Sequence, residues 1–198
     1  MPPRRPYFYG SNRARSLLAQ LAKWQGTRWR HAGAKPNEMR CGVSGDCLFW
    51  VHVFKAIDAL PAKLTIPDYR LQEARADEMK ALRQCIMATG REQLVWERDS
   101  IAHYRGKTDD DLQRLGLPWL IVGDVLIFKN GTSGAHCGLL VNIAPIQFVH
   151  LTGNGLLEEP LHQSHYLVSL TSIYRLLEPE PSGEAHCPRS TDGAEVPA

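Results

Sequence analysis

The chain lacks any apolar run approaching the roughly 18 residues that a membrane span requires, although 43% of its 198 residues are hydrophobic. A soluble protein is therefore expected. No apolar segment follows the charged start Met1-Pro2-Pro3-Arg4-Arg5-Pro6, so a secretory signal is not expected and synthesis should leave the product in the cytoplasm. Cysteine is sparse: five residues, at 41, 47, 85, 137 and 187. An odd number without repeating spacing argues against a disulfide framework and leaves at least one thiol free. Acids are missing from residues 1–30, which carry Arg4, Arg5, Arg13, Arg15, Lys23, Arg28 and Arg30. These cations are scattered without interleaved aromatics, which favours a solvated basic face over nucleic-acid binding. Large apolar side chains all but vanish after Leu177. Residues 178–198 are rich in Pro, Glu, Gly and Ser and net acidic, a composition that cannot offset the entropy of ordering. They read as a disordered tail that includes Cys187, leaving residues 1–177 as one domain with a sizeable core.

Within that domain the richest stretch is Gly45-Asp46-Cys47-Leu48-Phe49-Trp50-Val51-His52-Val53-Phe54, a cysteine where a glycine-containing turn becomes an apolar helix. Unpaired N–H groups and the positive end of a helix dipole lower a thiol pKa, which points to a nucleophile. Two later histidines, His136 and His150, each lie in a strand-like run. Cysteine, then histidine, then a further polar group is the order of parts that a thiol hydrolase needs: nucleophile, base, and orienter of the base.

The organisation reads as a helical half followed by a β half, an α+β domain. Ser11 or Asn12 can cap a helix with Leu17, Leu21 and Trp24 on one face, ending near Gly26. Cys47 to Leu60 reads as a central buried helix with Asp46 at its N-cap, stopped by Pro61. Met79, Leu82 and Ile86 mark a helix over 71–87 that Gly90 ends. Leu94 to Tyr104 is a weaker helix candidate, and Thr108-Asp109-Asp110-Asp111 opens a helical turn closed by Gly116 and Pro118. Together these make a helical insertion at about 61–117. Strands are expected at 122–128, from His136 to Val141, at 146–151, at 156–158 and at 168–176. Asn130-Gly131 suits a tight hairpin turn. His136 and His150 then occupy neighbouring strands of an antiparallel sheet, within cross-strand reach.

Several blocks, in this order, resemble the NlpC/P60 superfamily of papain-like cysteine peptidases, particularly its phage and gene-transfer-agent tail type. They are Trp24-Gln25-Gly26-Thr27-Arg28-Trp29-Arg30-His31, Gly45-Asp46-Cys47, Gly123-Asp124-Val125-Leu126-Ile127-Phe128, Ala135-His136-Cys137-Gly138 and Phe148-Val149-His150. The resemblance implies a fold in which the cysteine helix packs on an antiparallel sheet. It also implies Cys47 as nucleophile, His136 as general base and His150 as the residue orienting it. No cofactor is implied. Family members cleave amide bonds in peptidoglycan stem peptides, often at D-γ-glutamyl linkages, and phage-type members sit in tail-tip assemblies. By the same resemblance Asp46 can recognise a free amine, and Trp29 stands in the cleft where the family usually has a tyrosine; His31 reads either as lining the cleft with Trp29 or as a packing residue. Leu48, Phe49 and Trp50 stand where that family has serine and small residues, so the substrate end of the cleft is expected to differ.

Other readings stand beside this one. Cys41, Cys47, His136 and Cys137 could form a zinc site, but Cys-x5-Cys and an adjacent His-Cys do not match the usual short knuckles. The same fold could serve an inert tail-assembly or wall-binding protein, or an acyltransferase or thioesterase. Cys41, Cys85 and Cys137 read as structural or incidental thiols, with Cys41 and Cys137 able to approach the site. His52 reads as a packing residue, and His162 and His165 as members of a polar loop.

Overall fold

The computed structural model describes residues 3–29, 39, 41–42, 44–65, 82–97, 119–130, 134–162 and 169–180. Helix α1 (Ser11–Ala22) buries Leu17 and Leu21, and Trp24 is buried just beyond its end. Its N-cap is Gly10, ahead of the expected Ser11 or Asn12 by one or two residues. Asn12 instead receives Arg15 on its side chain and Ser16 on its carbonyl. Strand β1 (Arg28–Trp29) pairs in parallel with β2 (Ser44–Gly45). The central helix α2 (Phe49–Ala56) is shorter than the 47–60 expected from its apolar run. The chain leaves it through Asp58, at φ 55, while the N–H groups of Ala59 and Leu60 turn back to the Phe54 carbonyl. Burial, not helical geometry, explains the apolar residues beyond that point: Ala59 and Leu60 are both in the core.

Six strands form one antiparallel sheet in the order β3-β8-β4-β5-β6-β7. They are β3 (Glu92–Glu97), β4 (Val125–Asn130), β5 (Gly134–Ile143), β6 (Ile146–Thr152), β7 (Gly155–Pro160) and β8 (Leu170–Leu176). The expected β half is thus present, with Asn130 and Gly134 closing the β4–β5 ladder. The helix candidate at Leu94 to Tyr104 is corrected over its described part, since Glu92 to Glu97 is the edge strand β3, paired with β8, while 98–104 lie outside the described residues. Leu94, Val95 and Trp96 are strand-favouring residues, and pairing with an open sheet edge outweighs a weak helical period. The insertion is therefore not wholly helical. Residues 82–87 are helical and Gly90 follows at φ 65 as expected. The expected helices at 71–81 and 108–118 lie outside the described residues, as does the tail from 181 onward.

Period-two alternation sends the strand residues into two separate cores. Val125, Ile127, Cys137, Leu139, Val141, Val149 and Leu151 meet α1 and α2 on one face. On the other face Leu126, Phe128, Leu140, Ile146 and Phe148 pack with Leu161, Leu170 and Ile173. A bulge in the β4–β8 ladder, between the Ile127 and Phe128 pairs, keeps Leu170 and Ile173 on the same side. The helix layer is anchored by Phe49, Trp50 and Phe54, all 2% exposed or less, each contributing about 1.5–3 kcal/mol by burial.

The turn Gly123-Asp124 sets β4 and β5 in place. Gly123 has φ 94, and a Cβ there would lie 2.3 Å from the Phe8 ring, so only glycine fits. Gly123 N–H donates to the Leu140 carbonyl and Leu140 N–H to the Asp124 carbonyl, each at 2.8 Å. The Asp124 carboxylate accepts the Ile121 N–H at 3.0 Å and a two-pronged contact from Arg175, at 2.8 and 2.7 Å. Asp124 is fully buried. Arg175→Met should therefore destabilise the protein by about 3–5 kcal/mol, because it leaves a buried carboxylate without its cation. The urea midpoint measures this.

Candidate active site

Cys47 lies in the turn that leads into α2, two residues before the helix begins, and not within the helix as the sequence suggested. Asp46 builds that turn. Its Oδ1 accepts the Leu48 N–H at 2.7 Å and its carbonyl accepts the Phe49 N–H at 3.1 Å. It therefore caps the turn, while the helix N-cap is Leu48. Gly45 admits the close approach behind the turn: a Cβ there would lie 2.7 Å from Leu151 Cδ1 and 3.0 Å from Trp24. The turn is thus seated on the first core, with its thiol half-buried and facing the start of β5.

Three consecutive β5 residues meet it. Cys47 Sγ lies 3.8 Å from the Ala135 carbonyl oxygen and 3.4 Å from His136 Nδ1. The Cys137 thiol donates to the Cys47 carbonyl. On the neighbouring strand β6, His150 Nδ1 lies 2.9 Å from His136 Nε2, with the rings nearly perpendicular at 87°. Both imidazoles are buried, against Phe128 and Phe148. Beyond them, Glu159 Oε2 on β7 stands 3.7 Å from His150 Nε2. The structure therefore brings together Cys47, His136 and His150 in one continuous line, the two histidines on the neighbouring strands expected of them and the cysteine in the turn ahead of its helix.

The electrostatics favour charge on Cys47. Its pKa is held well below that of an ordinary thiol, first by the neighbouring Cys137 thiol and then by His136, against an opposing push from burial. Cys137 goes the other way: burial, and then the adjacent Cys47, raise its pKa well above the ordinary value. Of the pair, Cys47 is the one whose ionisation is favoured, while the Cys137 thiol donates to the Cys47 carbonyl. Sequence reading let Cys137 approach the site but assigned it no such part. Its only signal was adjacency to His136, and strand alternation turns that adjacency into a position beneath the turn.

The remaining candidates fall as follows. Trp29 is half-buried, and the β1–β2 ladder sets it opposite Gly45, two residues from the thiol. Asp46 is buried and one of its oxygens serves the turn. His31 lies outside the described residues. Cys41 is exposed, with its thiol on the Lys23 carbonyl at 2.6 Å. Among the described residues no group of three or more His, Cys, Asp or Glu is placed to hold a metal ion. Cys85 is buried and its thiol pushed up to about 12, first by burial and then by Asp46. His52 packs near Trp24, at 6.4 Å between centroids with the rings tilted by 49°. Among the described residues no helix is long and apolar enough to cross a membrane.

Compared with protein-family models and with curated proteins, the chain matches none.

A thiolate beside an imidazole that is itself oriented by a second imidazole can attack an electrophilic carbonyl and return a proton to a leaving group. Replacing Cys137 with alanine removes the largest influence lowering the Cys47 pKa. In Cys137→Ala, the pH profile of Cys47 alkylation by iodoacetamide should move to higher pH, with a slower rate at pH 7 than in the wild type.

Proposed function

We propose that this protein is a cysteine peptidase or amidase that hydrolyses amide bonds in peptidoglycan stem peptides, and that it works as a cell-wall hydrolase of the phage-tail type. The observation that carries the reaction type is the line Cys47 Sγ to His136 Nδ1, 3.4 Å, and His136 Nε2 to His150 Nδ1, 2.9 Å. The resemblance of the ordered blocks around Trp29, Cys47, Asp124, His136 and His150 to the NlpC/P60 superfamily supports the substrate class.

In the proposed reaction the Cys47 thiolate adds to the amide carbonyl, and the His136 imidazolium gives its proton to the leaving amine. The resulting thioester is hydrolysed by a water whose proton His136 accepts. His150 holds the His136 ring and receives its Nε2–H. The oxyanion donor we assign is the backbone N–H of Cys47 itself. The Leu48 and Phe49 N–H groups are already engaged by Asp46. Loss of one such donor typically costs on the order of a hundredfold in rate. No metal or organic cofactor takes part in these steps.

Mass spectrometry of the fragments released from purified peptidoglycan tests this reading and names the bond. Wild-type protein should release stem-peptide fragments and Cys47→Ala should release none. His136→Ala should slow release by at least about a hundredfold and raise the Cys47 pKa, since His136 is among the groups that lower it. Absence of Cys47-dependent release from several wall types overturns the hydrolase assignment. Acyl transfer to an added amine without hydrolysis reassigns the same residues to a transferase.

A further inference from the structure

Two imidazoles joined at 2.9 Å need one N–H and one lone pair between them. For His136 to donate from Nε2, His150 must present a bare Nδ1 and carry its own proton on Nε2. An isolated imidazole favours that tautomer only modestly; in a protein the group facing the other nitrogen sets it. Here that group is Glu159.

The register explains why. His150 pairs with Leu157 across the β6–β7 ladder, so Glu159 stands one diagonal step away on the same face, within reach of a long side chain. Glu158 pairs with Val149 and belongs to the other face. Glu159 Oε2 lies 3.7 Å from His150 Nε2, with His150 1% exposed and Glu159 25% exposed. That separation is longer than a hydrogen bond, as such contacts commonly are before a substrate closes the site. The other titratable groups around the line are Cys47, Asp46 and Cys137 on the thiol side and His136 on β5. Arg28, on β1, is exposed.

We propose that Glu159 is a positioning residue that keeps the His150 proton on Nε2, leaving Nδ1 to accept from His136. The inference rests on the reading of Cys47, His136 and His150 as one reactive line, and it extends that line to a third strand. It requires no contact between Glu159 and substrate.

The test is ¹⁵N NMR of histidine-labelled protein, which reads the tautomer of His150 directly, together with the pH profile of Cys47 alkylation by iodoacetamide. In the wild type, His150 should be the Nε2–H tautomer. Glu159→Ala should lose that preference, shift the alkylation profile to higher pH and slow alkylation at pH 7 about two- to fivefold, the scale of a partly exposed charge contact. Glu159→Gln, whose amide oxygen still accepts a hydrogen bond, should restore both readings toward wild type. A wild-type His150 protonated on Nδ1 overturns the proposal, and this measurement needs no variant to fold. An unchanged tautomer in Glu159→Ala also overturns it. A changed tautomer with an unchanged alkylation profile overturns the link to the thiol. None of these readings uses peptidoglycan, so failure of wall cleavage is distinguishable from failure here.

Discussion

Everything the site can do depends on where the turn from Gly45 to Leu48 rests against the first residues of β5. Gly45 lets the turn sit directly on Leu151 and Trp24, and Asp46 ties its backbone into one shape. The Cys47 carbonyl then receives the Cys137 thiol while the Cys47 sulfur faces His136. Two adjacent β5 side chains, on opposite faces of the strand, are thereby used for different ends. One holds the turn and the other meets the sulfur.

That division demands a fixed register. A one-residue slip of β5 would exchange the two faces, putting Cys137 among the aromatics of the second core and His136 under the helix layer. The Gly123-Asp124 turn guards against this, since its backbone bonds both ways with Leu140 and its carboxylate is held by Arg175 on β8. Both cores then reward the same register, each with apolar residues at every second position. A site of three polar side chains is in this way positioned by two largely apolar cores.

Much of this was legible in the sequence, and for physical reasons. The strands from Val125 to Leu176 alternate or run apolar and are separated by Asn-Gly, Pro and Gly turns, so the sheet and the adjacency of His136 and His150 could be read directly. Cys47 ahead of an apolar run with an acid before it was equally plain. What could not be read depends on tertiary pairing. Leu94 to Glu97 has no strong period of its own and becomes a strand only because β8 offers an open edge. The end of α2 is set by the left-handed turn at Asp58, where the next apolar residues are still buried and so give no signal of the break. Cys137 and Glu159 acquire meaning only once strand faces and cross-strand diagonals are known.

The choice of histidine as the third member has its own consequence. An amide or carboxylate oxygen beside His136 would accept its N–H without ambiguity, whereas an imidazole can either accept or donate. At 2.9 Å the facing nitrogens of His136 and His150 cannot both carry hydrogens, and a second positive charge so close would be strongly disfavoured. The pair therefore holds at most one excess proton. Under the proposed chemistry that proton belongs on His136, beside the thiolate, which leaves His150 neutral with its remaining hydrogen on the far nitrogen. From the turn through β5 and β6 to β7, the line is then thiolate, imidazolium, neutral imidazole and carboxylate. Each neighbour complements the next, and a buried imidazole pair becomes compatible with a charged thiol.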